Sequence, residues 1–410
     1  MGAVKEIVFA RAFGVSAETD AFVLAGTYAM FLPMIIGDAI STVLILSLAH
    51  PQASIRAGGL RTVGLWVALA AIACSVTIFA SAPVLMPLLF NLTEDRLAHA
   101  VHYARLLAPL GAIVLLVWAL TALLNSAKQF YVAGIAAIAG PLAILLAIVV
   151  LAGQWGVEAA AWGTVIGGAI EVCILASRVF WQRDLLFQRS GEALSGDGVR
   201  MWRSVLVLSF ASTIAALTPM VDQFFLSKLG TGAITHFNYA SKVNSLLIGV
   251  FGTAFGAAIY PYLSDLAARR DVKGLTRLSW RLSAITVPLT VVAAATVYFF
   301  SYELVELLFA RGKFTADAVV EVAAIQKIFS LQLPFFVAML IAMRILNAAG
   351  AAKIVLGIAC TSMICNALFN WMFYERLGAS GVALASVLTS VVSVVCSVLL
   401  IKPALAGHRA

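Results

Sequence analysis

Long apolar runs separated by short polar breaks dominate this chain. Apolar helices are predicted at about 20–49, 62–90, 98–127, 131–153 and 157–181, and again at 201–229, 233–266, 276–310, 318–348, 353–374 and 378–402. The runs lack the period-two alternation of a barrel, so helices that satisfy their own backbone groups are expected. Each is long enough, or nearly so, for the roughly 20 residues that cross a bilayer. Several exceed 25 residues, which predicts tilt or extension past the lipid. The longest hydrophilic stretch, Gln182 to about Arg200, marks a natural boundary. The predicted organisation is an N-terminal lobe at 1–182, a cytoplasmic linker at 183–200 and a C-terminal lobe at 201–404.

The two lobes read as copies of one unit. Gly14 and Thr19 return as Gly230 and Thr235, 216 positions on, and Leu88-Leu89-Phe90 returns as Leu307-Leu308-Phe309, 219 on. Leu124-Asn125 returns as Leu346-Asn347 at 222, and Gly156-Val157 is paired with Gly381-Val382 at 225. A slowly drifting offset is what a duplication followed by small insertions leaves. The second copy holds six apolar runs, whereas the first holds five and a stub at residues 2–13, about 18 Å long as a helix. The duplication predicts a full first helix there, of which the stub is a truncated form. The fold class expected is an all-α polytopic membrane protein of about twelve helices in two six-helix lobes. An even number of helices per copy predicts a pseudo-twofold along the membrane normal, with substrate handled between the repeats.

Composition narrows the class. The chain is 62% hydrophobic and 11% charged with a mean hydropathy of +1.02, against about 25% charged in an ordinary soluble domain. The net charge of +8 does not signal nucleic acid, because the Lys and Arg lie mostly in loops on one side. Sixteen basic residues fall on that side and seven on the other, which places the linker and both termini in the cytoplasm. The five cysteines all lie within apolar runs and show no metal or redox spacing. No cofactor is called for: there is no phosphate-binding loop, nucleophile elbow or metalloprotease helix. Gly163 to Gly168 is read as a small-residue packing face.

Charged groups inside apolar runs are the candidates for chemistry, because each costs roughly 2.5–3.5 kcal/mol to insert. Lys242 lies well inside its predicted helix, Asp222 near the outer end of the one before, and Asp38 deep in the second. Lys327 and Arg344 are further intramembrane charges that snorkelling also explains. Asn366 and Asn370 sit one turn apart, a spacing read first as interhelical hydrogen bonding. His99 and His102, close to Glu94 and Asp95, are read as a solvated helix start rather than a metal site.

Several of these motifs resemble the MurJ/MviN lipid II flippase family of the multidrug, oligosaccharidyl-lipid and polysaccharide exporter superfamily. Phe13-Gly14 followed by Thr19-Asp20-Ala21-Phe22 is similar to the start of that family's second helix. Tyr239-Ala240-Ser241-Lys242 resembles its eighth helix, the run from Gly249 to Ser264 agrees, and Leu308 to Phe314 resembles its loop after the ninth helix. The resemblance implies two six-helix lobes working by alternating access. It places Lys5, Glu6, Arg11 and Asp20 at positions of like charge in the family, and Lys242 where a cavity arginine contacts the substrate diphosphate. An ammonium keeps that charge but loses the bidentate fork. The chain departs from the family at Pro33, where a cavity arginine is usual, and at Ser241 and Ser245, where acids are common. Asp38 replaces a glutamate, and two further C-terminal helices have no counterpart before Ala410. The expectation is a divergent, shortened member that flips a polyprenyl-diphosphate-linked saccharide, lipid II or an exopolysaccharide precursor. Substrate contacts are assigned to Lys242, Lys5, Arg11, Asp20, Asp38 and Asp222. The expected partners are that lipid-linked oligosaccharide and the membrane lipids, with enzymes of glycan synthesis as further candidates. Two alternatives stand beside it. One is a cation-coupled exporter of small organic molecules using Asp38 and Asp222. The other is a transport-dead scaffold for envelope glycan synthesis.

Overall fold

The computed structural model describes residues 2–49, 57–127, 129–181, 198–249, 272–348 and 350–407. Every regular element among them is an α-helix. Helices α1 to α8 are Gly2–Phe13, Ala17–Ala49, Ala57–Leu89, Glu94–Leu106, Leu110–Ser126, Phe130–Ala136, Ala139–Trp155 and Glu158–Trp181. Then come α9, Gly198–Ser227, and α10 over 233–249. The remaining helices are α11 Val272–Phe299, α12 Ser301–Phe309, α13 Ala316–Ser330, α14 Gln332–Ala348 and α15 Ala352–Gly407. Seven stretches among the described residues are long and apolar enough to cross a membrane, or eight with the bent pair α4 and α5. The protein is an all-α, multi-pass membrane protein.

Two compact units divide the chain, Met1–Ala216 and Leu217–Ala410. In the first, α2 packs on α4 and α5, α3 on α5, α7 on α8, and the short α1 lies against α7. The α7–α8 pair is close because small residues face each other. A Cβ at Gly163 would stand 2.8 Å from the Cα of Ile144, and one at Gly167 would stand 2.8 Å from the Cα of Gly140. The glycine-rich run is thus a packing face, as its composition suggests. In the second unit α14 packs on α15 and α11, and α13 on α12 and α15. Outward faces stay apolar: Leu65, Trp66, Leu69, Ile72, Val76 and Phe79 of α3 are all exposed, which suits lipid rather than water.

Several predicted single helices are broken. The run at 98–127 bends by 42° between α4 and α5, where Pro109, which has no N–H to donate, precedes α5. The run at 276–310 breaks at Phe300 and that at 318–348 at Leu331. Pro33, Pro219 and Pro288 are carried inside continuous helices. Pro141 and Pro334 sit in the first turns of α7 and α14, where a missing N–H costs least. Pro261 lies outside the described residues.

The duplication is visible in the backbone. Gln129 N–H donates to the Leu124 carbonyl and Ala351 N–H to that of Leu346, 222 positions later. Thr93 and Thr315, also 222 apart, are the extended residues opening α4 and α13. Asp20 N–H donates to the Ser16 carbonyl, and His236 N–H to that of Gly232, 216 later. One sequence pairing is corrected. Gly156 has φ 56° and ψ −139°, and its match is Gly378, with φ 59° and ψ −139°. The offset there is 222, not 225, and Gly381 falls opposite Ala159. The identical Gly-Val dipeptides misled because side-chain identity was matched three residues away from the shared torsion.

Gly378 also explains a helix that is too long. The apolar stretch Ala352–Ile401 has 50 residues, roughly 75 Å as a helix, more than twice the ~30 Å hydrocarbon core. At Gly378 the backbone leaves the helical region and the chain folds back, so that Ser362 and Ser393 hydroxyls meet at 2.7 Å. A Cβ at Gly378 would touch nothing within 4 Å, so its substitution isolates backbone strain. Gly378→Ala is expected to cost about 1–3 kcal/mol with no steric clash, measurable as a lower melting temperature in detergent.

Candidate ion site and charged network

The turn at Gly378 assembles a polar nest. It brings Asn366 and Asn370, from the first arm of α15, and Ser386, from the second, around Asp222 of α9. Asn370 Nδ2 donates to Asp222 Oδ1 at 2.8 Å, and Asn366 Nδ2 donates to the same oxygen at 3.2 Å. Ser386 Oγ donates to Oδ2 at 3.5 Å. Asn370 Nδ2 also donates to Asn366 Oδ1 at 3.1 Å, as the i, i+4 spacing allows. Both asparagines are fully buried and Asp222 is 7% exposed. Among the described residues no basic side chain pairs with this carboxylate. A buried charge without a counter-ion is costly, and neutral carboxamide and hydroxyl donors are what hold it here. Asn370 Oδ1 is buried with no partner, an acceptor spare beside the carboxylate. A carboxylate held by neutral donors can take up a proton, and with the spare Asn370 Oδ1 beside it can offer oxygens to a small monovalent cation.

One end of the nest is closed. Phe225, three residues past Asp222, packs on Tyr374, four past Asn370, with ring centroids 5.1 Å apart. Lys228 Nζ lies over Phe224 at 4.3 Å, Phe225 at 5.5 Å and Tyr374 at 5.6 Å. The ammonium is held by the ring faces and puts positive charge at that end.

The first unit carries a different network. Asp20 is 1% exposed by its side chain and pairs with Arg96 at 2.9 Å. Tyr103 donates to Glu18 at 2.6 Å, and His102 meets Glu158 at 2.8 Å. The three contacts tie the start of α2 and the start of α8 to α4. Their counterparts in the second repeat, Ile234, His236, Ala318 and Ile325, cannot form the same contacts. The converse also holds. Asn366, Asn370 and Ser386 correspond to Ile144, Ile148 and Thr164, so the first repeat has no carboxamide nest although Glu6 stands opposite Asp222.

The other sequence candidates are dispersed. Lys5 pairs with its neighbour Glu6 at 2.9 Å, and Arg11 is exposed at the end of α1. Lys242 is half-buried on α10. The backbone of Asp38 lies in α2, and its side chain is outside those described. Lys327 and Arg344 are exposed. Among the described residues no three or more His, Cys, Asp or Glu gather as metal ligands. His102 is engaged by Glu158. Sequence reading missed Arg96, which sits two residues into an acidic helix start and looks like a loop cation. A signal existed in its i, i+4 and i, i+7 neighbours Ala100 and Tyr103, both buried, which put it on the inner face of α4.

The model of the family described as lipid II flippase MurJ matches residues 9–410. The chain belongs to this family. The MurJ of Burkholderia cenocepacia is 27% identical over 400 residues, covering 94% of this chain and 77% of the relative. A probable MurJ of Bdellovibrio bacteriovorus is 24% identical over 249 residues, covering 61% of this chain and 47% of the relative, about half its length. Among solved structures, a MurJ in an inward closed conformation matches with a TM-score of 0.81 at 19% identity, over 99% of this chain and 87% of the other. An inward-facing multidrug resistance MATE transporter matches at 0.73 and 16% identity, over 100% and 99%. At such identities the structural likeness speaks for the fold alone. It is the MurJ fold, shared with MATE transporters, and the family match is what separates the two.

Proposed function

We propose that this MurJ-family protein moves a polyprenyl-diphosphate-linked saccharide of the lipid II class from the inner to the outer leaflet of a bacterial inner membrane. The match to the lipid II flippase model over nearly the whole chain carries this reading. In it, both termini are cytoplasmic and the two repeats act as lobes in alternating access. Lys242 attracts the diphosphate, aided by Lys5 and Arg11, because a charge pair in a low-dielectric cavity attracts more strongly than in water. Asp222, in its nest of neutral donors, is the coupling group, and its protonation or occupation by a monovalent cation changes the charge inside the second repeat. Asp20, held by Arg96, serves the scaffold. No covalent step is needed. Enzymes that make and use the lipid-linked saccharide would work beside it.

The test is leaflet-resolved transfer in proteoliposomes loaded with lipid II or with a polyprenyl-linked exopolysaccharide unit. Transfer of lipid II above protein-free vesicles is expected, with its dependence on a proton or sodium gradient lost in Asp222→Asn. Transfer of the exopolysaccharide unit alone would change the substrate. Transfer of neither would remove the flippase reading.

A further inference from the structure

A line of buried and half-buried polar contacts, passing through the Ser386 backbone as well as through side chains, connects Asp222 to the helix that carries Lys242. Asn244 Nδ2, on α10, donates to Gln332 Oε1 at 2.8 Å, and Gln332 Nε2, at the start of α14, donates to Ser390 Oγ at 2.9 Å. Ser390 Oγ donates to the Ser386 carbonyl at 3.0 Å. The Ser386 hydroxyl stands between two acceptors, Asp222 Oδ2 at 3.5 Å and the Val382 carbonyl at 3.2 Å. Four helical segments are crossed, all within Leu217–Ala410. Asn244 and Ser390 are 4% and 8% exposed.

The direction of these bonds is informative. Each bond donates toward Asp222, and between the Ser386 carbonyl that accepts from Ser390 and the Ser386 hydroxyl that faces the carboxylate the link is the covalent frame of that residue. The bond from Ser386 Oγ to Asp222 Oδ2 strengthens when the carboxylate is charged and weakens when it is neutralised, and a shift of Ser386 passes to Ser390 and Gln332 through the bonds they make. The Ser386 hydroxyl then has less reason to reach for Oδ2 and its alternative acceptor is already at hand. At the far end the amide of Asn244 depends on Gln332, since its own Oδ1 is buried and without a partner. The line is confined to one repeat. Asn244, Gln332 and Ser390 correspond to Tyr28, Leu110 and Gly168 in the first copy, which cannot build it. That copy is also the one without the carboxamide nest, so nest and line occur together.

We propose that Gln332 is a positioning residue that ties the charge state of Asp222 to the setting of α10. Asn244 and Lys242 are two residues apart, about 200° around the helix, so a pull on Asn244 turns Lys242 on the opposite face. The proposal rests on the reading of Asp222 as the coupling group and of Lys242 as the diphosphate contact. It gives the substrate-binding helix a mechanical link to the coupling charge without direct contact between them.

The test is amide hydrogen exchange of the full chain in lipid nanodiscs, which needs neither substrate nor transport. Asp222→Asn is expected to alter exchange over 233–249 by roughly three- to tenfold, the scale of coupling within one hydrogen-bonded network. In a Gln332→Leu background the same substitution should leave that segment unchanged. Ser390→Ala, a milder cut that spares the Asn244–Gln332 bond, should uncouple the two ends as well and guards against misfolding of Gln332→Leu. An equal effect of Asp222→Asn in the wild type and in both cut backgrounds overturns the proposal, as does its having no effect on 233–249. Lipid II transfer is scored separately on the same proteins. Absent transfer with intact coupling would sink the flippase reading and leave this inference standing.

Discussion

Replacing Lys242 with alanine is expected to lower lipid II transfer in proteoliposomes by roughly ten- to a hundredfold. That range follows from losing one charge-assisted contact to a diphosphate, about 1.5–3 kcal/mol. Lys242 is half-buried, so its charge acts where water screens it only partly. Lys242→Arg should keep or improve transfer, because a guanidinium adds a second parallel donor to the same anion. Melting temperature should move little in either variant. Transfer by Lys242→Ala at the wild-type rate, with normal folding, would remove this residue from the site. The alanine variant should also bind a soluble polyprenyl-diphosphate analogue less tightly, which separates a contact from a purely mechanical role.

The second large effect concerns stability. Arg96→Met should destabilise the first unit by about 3–5 kcal/mol, the usual result of removing one partner from a buried ion pair. Asp20 and Arg96 side chains are 1% and 8% exposed, so neither can turn to water when the other is lost. Asp20→Asn combined with Arg96→Met should recover much of that loss, because the uncompensated charge is gone. Thermal unfolding in detergent of the two single variants and the double one measures this directly. Strict additivity of the two single effects would show that the pair does not act as a pair. Transport should fall in Arg96→Met only as far as folding does, in contrast to Lys242→Ala.

Much of the fold was legible from hydropathy, because lipid demands long apolar runs and satisfied backbones. The breaks were less so. The bend before α5 needs Pro109, but Pro33, Pro219 and Pro288 sit in unbroken helices, so proline alone does not foretell a break. Phe300 and Leu331 end helices with no sequence signal of their own. The site shows the same limits. Asp222 stood out as a charge in an apolar run, and its neighbours Asn366 and Asn370 stood out by spacing. What joined them was invisible, since Ser386 reaches the carboxylate only because the chain reverses at Gly378. Arg96 and Asp20 are 76 positions apart, and nothing local announces that they pair. Ser390, Gln332 and Asn244 look like ordinary polar residues of membrane helices until their bonds are traced across four segments.

The torsions shared by Gly156 and Gly378 have a use beyond this protein. Side chains at equivalent places in the two copies have drifted until Asn366 corresponds to Ile144 and Ala318 to Arg96. A backbone setting that only glycine holds without strain cannot drift in the same way, because almost every replacement is penalised at once. Such a residue works as a bookmark. Two distant copies can be laid in register from it when their side chains no longer agree, and the three-residue slip produced by matching Gly-Val dipeptides is the error it corrects.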